Sequence, residues 1–182
     1  MTTAGIVLAA GAGRRYGMPK ALVRHGDRLL VEHAAGTLRA AGCERIVVVL
    51  GAAADEVIKA APGLPETVIN PDWATGMASS LKTGLAALTA TPAAAAVVLL
   101  VDMPGVTPEA VRRVIAHSAP DALVMGGYGD RRGHPVLLGR DHWAGVARTA
   151  TGDRGARDYL RSHDVRTVPV GDVADDHDID TR

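Results

Sequence analysis

The chain of 182 residues contains no phenylalanine, two tryptophans and three tyrosines, so any core it builds must be aliphatic. Its single cysteine, Cys43, excludes an internal disulfide and a cysteine-based metal centre. Cys43 follows Gly42 near an apparent helix end and reads as buried filler. Net charge is lacking too: 20 Lys and Arg offset 20 Asp and Glu, so no global field favours nucleic acid or an anionic membrane as partner. Anion binding must come from local clusters. The longest apolar run, residues 93–101, is half the ~18 residues of a membrane span and fits a strand better. No basic segment precedes the first apolar run, so a secretory leader is not expected and the chain reads as soluble and cytoplasmic. A nucleophile with its base is also missing, for there is no G-x-S-x-G elbow and Cys43 has no activating motif beside it.

What is present alternates. Residues 5–10, 45–50, 66–69 and 95–101 are short and mostly apolar, as strands covered on both faces are. Amphipathic stretches at 29–41, 53–60 and 79–89 lie between them. Residues 108–117 predict a helix with Pro108 in its first turn, and 154–162 another. Further strands are predicted at 122–125, 135–138 and 165–170. Strand, helix and strand in this order predict right-handed βαβ units and a mostly parallel sheet between helices, in one domain over 1–182. The glycine-rich segment 126–133 reads as a mobile hairpin or lid, and the aspartate-rich end, 172–182, as a solvated tail.

The first strand runs into Gly11-Ala12-Gly13-Arg14-Arg15-Tyr16-Gly17-Met18-Pro19-Lys20. Glycines let backbone N–H groups cup an anion, and Arg14, Arg15 and Lys20 add charge, so the loop suits a polyphosphate. It is neither a dinucleotide fingerprint nor a P-loop. The third glycine comes one residue late, the second strand ends without a ribose-binding acid, and Gly17 is not followed by Lys-Ser or Lys-Thr. A dinucleotide-dependent oxidoreductase is disfavoured on both counts.

Ligands of open parallel sheets bind beyond the carboxyl ends of the strands, and other informative residues fall there. Asn70, Gly76, Ser79 and Ser80 precede a helix, where serines could cap it or hold a nucleotide. Asp102 ends the fourth strand, a placement suited to Mg²⁺ or to a turn before Pro104. His134 starts a strand between Gly133 and Pro135, and Asp153 and Arg154 stand at a helix start. A phosphate loop, cations and a rim carboxylate suit phosphoryl or nucleotidyl transfer.

These residues resemble the molybdenum-cofactor nucleotidyltransferases, most closely their cytidylyltransferase branch. The resemblance rests on Leu8-Ala9-Ala10-Gly11 through Arg15, Gly17, Pro19 and Lys20. Asn70-Pro71, Trp73, Gly76-Met77 and Ser79-Ser80 follow, then Asp102-Met103-Pro104, Gly133-His134-Pro135, 152–157 and the closing Asp178-Ile179-Asp180-Thr181. It implies a three-layer α/β/α Rossmann-like nucleotidyltransferase domain. The implied reaction is attack of molybdopterin's phosphate on the α-phosphorus of CTP, with release of pyrophosphate. Arg15 would hold the triphosphate, Lys20 would neutralise charge between donor and acceptor, and Asp102 would carry Mg²⁺ with Asp180. Leu8, Ala9, Ala10, Gly11, Gly13, Asn70, Gly76, Ser79 and Ser80 would surround the nucleotide, and His134, Asp153 and Arg154 the acceptor. Alanine at position 10, where GTP-using relatives carry glycine, favours CTP. A molybdoenzyme would receive the product. A GTP-dependent enzyme, a sugar-phosphate nucleotidyltransferase and a non-catalytic molybdenum-cofactor carrier are the alternatives. Two departures stand out: Gly13 replaces a serine common in relatives, and the chain stops at Arg182 where they continue into a helix, so Asp180 is expected to be disordered.

Overall fold

A computed structural model describes residues 1–180, which leaves Thr181 of the closing motif outside the described residues. The elements follow in the order β1 (Thr3–Ala9), β2 (Arg24–His25), β3 (Arg28–Leu29), α1 (Leu30–Ala40), β4 (Arg45–Leu50), α2 (Ala54–Ala60) and β5 (Glu66–Ile69). Next come α3 (Met77–Leu88), β6 (Ala95–Leu100), α4 (Pro108–Ile115), β7 (Leu123–Tyr128), β8 (Arg131–Gly139), α5 (Arg140–Thr149), α6 (Arg157–Arg161) and β9 (Arg166–Pro169). Seven strands form one sheet in the order β5-β4-β1-β6-β8-β7-β9, and only β8 runs against its neighbours. β2 and β3 make a separate small hairpin.

Strand alternation builds two cores on the two faces of the sheet. Val7 and Ala9 of β1 face the core shared with α1, α2 and α4, through Leu38, Val57, Val111 and Val114. Ile6 and Leu8 face the other, shared with α3, α5 and α6, through Leu81, Leu85, Trp143 and Leu160. The result is the three-layer α/β/α arrangement expected from the sequence. Val, Leu and Ala fill both layers, each fully buried Val or Leu contributing roughly 1.5–3 kcal/mol. Trp143, the one large buried ring, satisfies its indole N–H on the Leu138 carbonyl at 2.8 Å. Cys43 is buried, and burial pushes its thiol up to about 12, in keeping with filler. No helix among the described residues is long and apolar enough to cross a membrane.

Three expectations are corrected, and one helix was not foreseen. Segment 126–133 is the hairpin expected and not a lid: β7 and β8 run through its glycines to a turn at Gly129 and Asp130, and β9 pairs with Gly126 and Gly127. The helix expected over 154–162 is a 3-10 turn, Gly152–Arg154, followed by the shorter α6. Helix α5, which buries Trp143, Gly145 and Val146 of its ten residues, was not among the expected helices. The C-terminal segment is not a solvated tail. Thr107 donates its hydroxyl to the Val173 carbonyl at 2.8 Å, Asp175 N–H to Gly105 at 3.0 Å and Ile179 N–H to Asp102 at 2.9 Å. It is a strap laid across the loop that follows β6.

Candidate active site

Strands β1 and β6 lie side by side, Leu8 against Leu100, so their carboxyl ends place the glycine-rich loop and Asp102 next to each other. Val101 N–H donates to the Leu8 carbonyl at 3.1 Å and Ala52 N–H to the Ala10 carbonyl at 2.9 Å, which fixes the rim. The loop ends in a 3-10 turn, Lys20–Leu22, that turns Lys20 inward. Its Nζ donates to Asp102 Oδ2 at 2.9 Å and to Asp180 Oδ1 at 3.3 Å. The Lys20 and Asp102 side chains are only 16% and 18% exposed. Burial alone would lower the Lys20 ammonium, but bonding to Asp102 and then Asp180 outweighs it and holds the group above its ordinary value. Asp180 is therefore held against Lys20, contrary to the disorder expected of it.

Asp178 joins this cluster. Asp102, Asp178 and Asp180 each offer a carboxylate oxygen, and the three oxygens lie within 4.8 Å of one another. An all-carboxylate set suits a hard divalent cation, Mg²⁺ or Mn²⁺, rather than a soft metal. Sequence reasoning missed Asp178. The available signal was its i, i+2 spacing from Asp180, which puts two side chains on one side of an extended segment.

A cavity of about 270 Å³ opens beside the cluster. Leu8, Ala10, Gly11, Gly13, Lys20, Gly76, Ser80 and Asp102 line it, as does Asp153. Trp73, Met77, Leu100 and Val101 complete the wall. Gly13 has φ +63°, and a Cβ there would stand 1.9 Å from the Met18 carbonyl oxygen, so the loop in this form admits no side chain at that position. Arg14 and Arg15 are exposed, with no ion-pair partner among the described residues. Ala9 points to the opposite core, away from the cavity.

Asn70 is 2% exposed and does not line the cavity. Its Nδ2 donates to Ser79 Oγ at 2.8 Å and Ser80 Oγ at 2.9 Å, and its Oδ1 accepts from Asp72 N–H at 2.9 Å. Ser79 in turn donates to the Gly76 and Asp72 carbonyls at 2.9 and 3.0 Å. This network shapes the turn into α3. Neither serine is the N-cap; that position is Gly76, and Asp153 of a distant turn accepts from the Met77 N–H at 3.4 Å.

A second cavity of about 660 Å³ shares Leu8, Met77, Leu100 and Asp153 with the first. Its floor is apolar, with Leu81, Val98, Met125, Val136 and Leu138, and Arg132, Arg154, Arg157 and Arg161 stand at its walls. Arg154 is paired with Asp158 at 2.7 Å. His134 lines the cavity too, and enclosure of its ring lowers the imidazole to about 4, although the Asp102 and Asp176 charges pull the other way. It is neutral at neutral pH, one ring nitrogen a donor and the other an acceptor. The structure thus brings His134, Asp153 and Arg154 to one cavity and Lys20 and Asp102 to its neighbour. Trp73 and Met77 carried no chemical signal of their own and owe their place to the turn before α3.

Residues 5–168 match a family model described as the MobA-like NTP transferase domain. The chain is similar to the nicotine blue oxidoreductase of Paenarthrobacter nicotinovorans, 39% identical over 188 residues that cover 97% of this chain and 91% of that protein. Among solved structures it is similar to Rv0371c from Mycobacterium tuberculosis H37Rv, with a TM-score of 0.88, 33% identity and coverage of 100% of this chain and 93% of that one. A complex of the same protein with manganese gives a TM-score of 0.82 at 31% identity, over 98% of this chain and 94% of that one.

Proposed function

The chain is a nucleotidyltransferase of the MobA-like NTP transferase domain family, and from that premise we propose that it transfers CMP from CTP to the phosphate of molybdenum-molybdopterin, releasing pyrophosphate. The observation that carries the reading is Lys20, bonded to Asp102 and Asp180, in the smaller of two cavities that share four wall residues. Two substrates with anionic groups can meet there across one half-buried cation. CTP would occupy the smaller cavity with its triphosphate toward the loop 11–19, where the unpaired Arg15 is free to fold onto it. Ala10 lines this cavity where GTP-using relatives carry glycine, which in this reading favours CTP over GTP. The acceptor would fill the larger cavity, its phosphate directed at Lys20, its body on the apolar floor, its polar edge met by His134, Asp153 and Arg154. Its phosphate is already anionic near neutral pH, so the missing general base is no obstacle.

In this reading Asp102, Asp178 and Asp180 hold a divalent ion, Mg²⁺ in the cell, which supplies positive charge for the triphosphate. The carboxylate donor set fits it, and the manganese complex of Rv0371c supports it. Lys20, Arg14 and Arg15 neutralise the remaining phosphate charge. Asn70 and Ser79 act indirectly by fixing the turn that carries Ser80 and Gly76. The reaction is cytoplasmic in this reading, and the product passes to a molybdoenzyme.

A second reading, hydride transfer with a dinucleotide, has one observation behind it, the similarity to nicotine blue oxidoreductase. The loop spacing and the absence of an acid at the end of β4 weigh against it. Trp73 tests both readings, because it lines the smaller cavity whereas Trp143 is buried elsewhere. Titration with CTP is expected to quench tryptophan fluorescence, with a weaker response to GTP and none to a nicotinamide dinucleotide, and Trp73→Phe is expected to remove the change. Saturable quenching by the dinucleotide alone would favour hydride transfer.

A further inference from the structure

The strap that brings Asp178 and Asp180 to Lys20 is held at one more point. Asp176, whose side chain is 15% exposed, accepts a forked pair from Arg131, Nη1 to Oδ2 at 3.1 Å and Nη2 to Oδ1 at 3.2 Å. Forked guanidinium–carboxylate pairs fix orientation as well as distance. Room for this carboxylate exists because position 133 is glycine: a Cβ there would stand 2.7 Å from Asp176 Oδ2. Asp176 also lines the larger cavity. A carboxylate so enclosed needs its partner, since desolvation without pairing is unfavourable.

Upstream of Asp176 the strap has backbone anchors at Val173 and Asp175, and a separate pair, Arg113 with Asp172 at 2.7 Å. Downstream, among the described residues, the bonds that tie it to the rest of the protein are Ile179 N–H to Asp102 and Lys20 to Asp180; His177 N–H donates to Asp175 Oδ1 within the strap at 2.9 Å. Asp176 is therefore the last fixed side chain before the two carboxylates. We propose that the Arg131–Asp176 pair is a positioning clasp. It sets the path of residues 177–180 and so holds Asp178 and Asp180 in register with Asp102 as cation ligands. The clasp belongs to β8 and its hairpin, so the wall of the acceptor cavity and the carboxylate cluster share a part.

This inference rests on the proposed divalent-ion site, and its test needs neither nucleotide nor acceptor. Binding of Mn²⁺ alone to the full chain is followed through the EPR signal of the free ion. Arg131→Ala and Asp176→Asn are expected to weaken Mn²⁺ binding by about fivefold, the scale of a well-oriented surface pair. Arg131→Lys, which keeps the charge but loses the fork, is expected to fall between them and the parent. Arg113→Ala, which removes the pair upstream of the backbone anchors, is expected to leave Mn²⁺ binding unchanged. Thermal melting of each variant separates loss of register from loss of fold; Arg131 is 63% exposed, so its removal leaves the cores untouched. Mn²⁺ binding by the parent chain with undiminished binding by both clasp variants overturns the clasp alone. Equal losses in Arg113→Ala and Arg131→Ala also overturn it, since the effect is then general to the strap. Absence of Mn²⁺ binding in the parent overturns the ion site and the clasp together.

Discussion

Asp102→Ala is expected to slow pyrophosphate release by at least about 10²- to 10³-fold, the loss that follows removal of one preorganised electrostatic group from a transition state, while the protein stays folded. The fold is insulated from the change because the Asp102 side chain bonds to Lys20 and not to the scaffold. Its backbone carbonyl, which accepts from Ile179, survives in alanine, and the turn after β6 is closed by Met103 N–H to Leu100 and Val106 N–H to Met103. Catalysis has no such reserve. Asp102 is the only carboxylate of the cluster carried on the end of a sheet strand; Asp178 and Asp180 come from the strap. Without it Lys20 loses its closer partner and swings toward Asp180, and the ion site drops to two ligands. Asp102→Asn, the same size without the charge, is expected to behave like alanine. Turnover with CTP measured beside thermal melting decides the matter: near-normal release from a folded Asp102→Ala protein removes Asp102 from the mechanism.

Gly76→Ala is expected to destabilise the protein by about 2–4 kcal/mol, the sum of a glycine-only backbone and a steric clash. Gly76 has φ +117° and ψ 179°, a region that side chains essentially do not enter. Space is lacking as well: a Cβ would stand 2.5 Å from the Gly152 carbonyl carbon, 2.6 Å from its oxygen and 2.7 Å from Asp153 Oδ1. Two of these are backbone atoms, which cannot step aside. Relief requires the turn Gly152–Arg154 to move off α3, which breaks the Asp153 cap on Met77 and opens the wall common to both cavities. Gly11→Ala is the control. It lies in the same smaller cavity, has no positive φ, and its Cβ would meet nothing within 4 Å. Urea unfolding is expected to show a large shift for position 76 and almost none for position 11. Equal shifts would mean that the turn before α3 is not as tightly packed as described.

Much of the fold was legible in the sequence because its signals are local. The runs at 46–50 and 95–101 are apolar throughout, as parallel strands covered on both faces are, and Pro108 after Thr107 marks a helix start that the Thr107 hydroxyl does cap, accepting from Ala110 N–H at 3.2 Å. The site was legible where chemistry follows a strand end, as Asp102 does just past β6 and Lys20 does in the glycine-rich loop that leaves β1. It was illegible where position depends on a distant contact. Asp172 to Asp180 read as a solvated acidic run because nothing in the segment reveals Thr107, Gly105, Arg113 or Arg131 waiting to hold it. The glycines of 126–133 suggested mobility, yet a Cβ at Gly127 would meet Thr167 Cγ2 at 2.7 Å: they are small so that β9 can pack close. The resemblance put Asn70 around the nucleotide, and only the structure shows its amide spent on Ser79 and Ser80.

The most direct test of nucleotidyl transfer is pyrophosphate release from CTP and from GTP, measured separately with Mg²⁺ and molybdenum-loaded molybdopterin. Release with CTP that exceeds release with GTP and disappears in Asp102→Ala is the expected result. No release with either nucleotide, from folded protein that still quenches at Trp73, would contradict transfer to this acceptor and turn attention to a sugar phosphate or to a carrier of the finished cofactor.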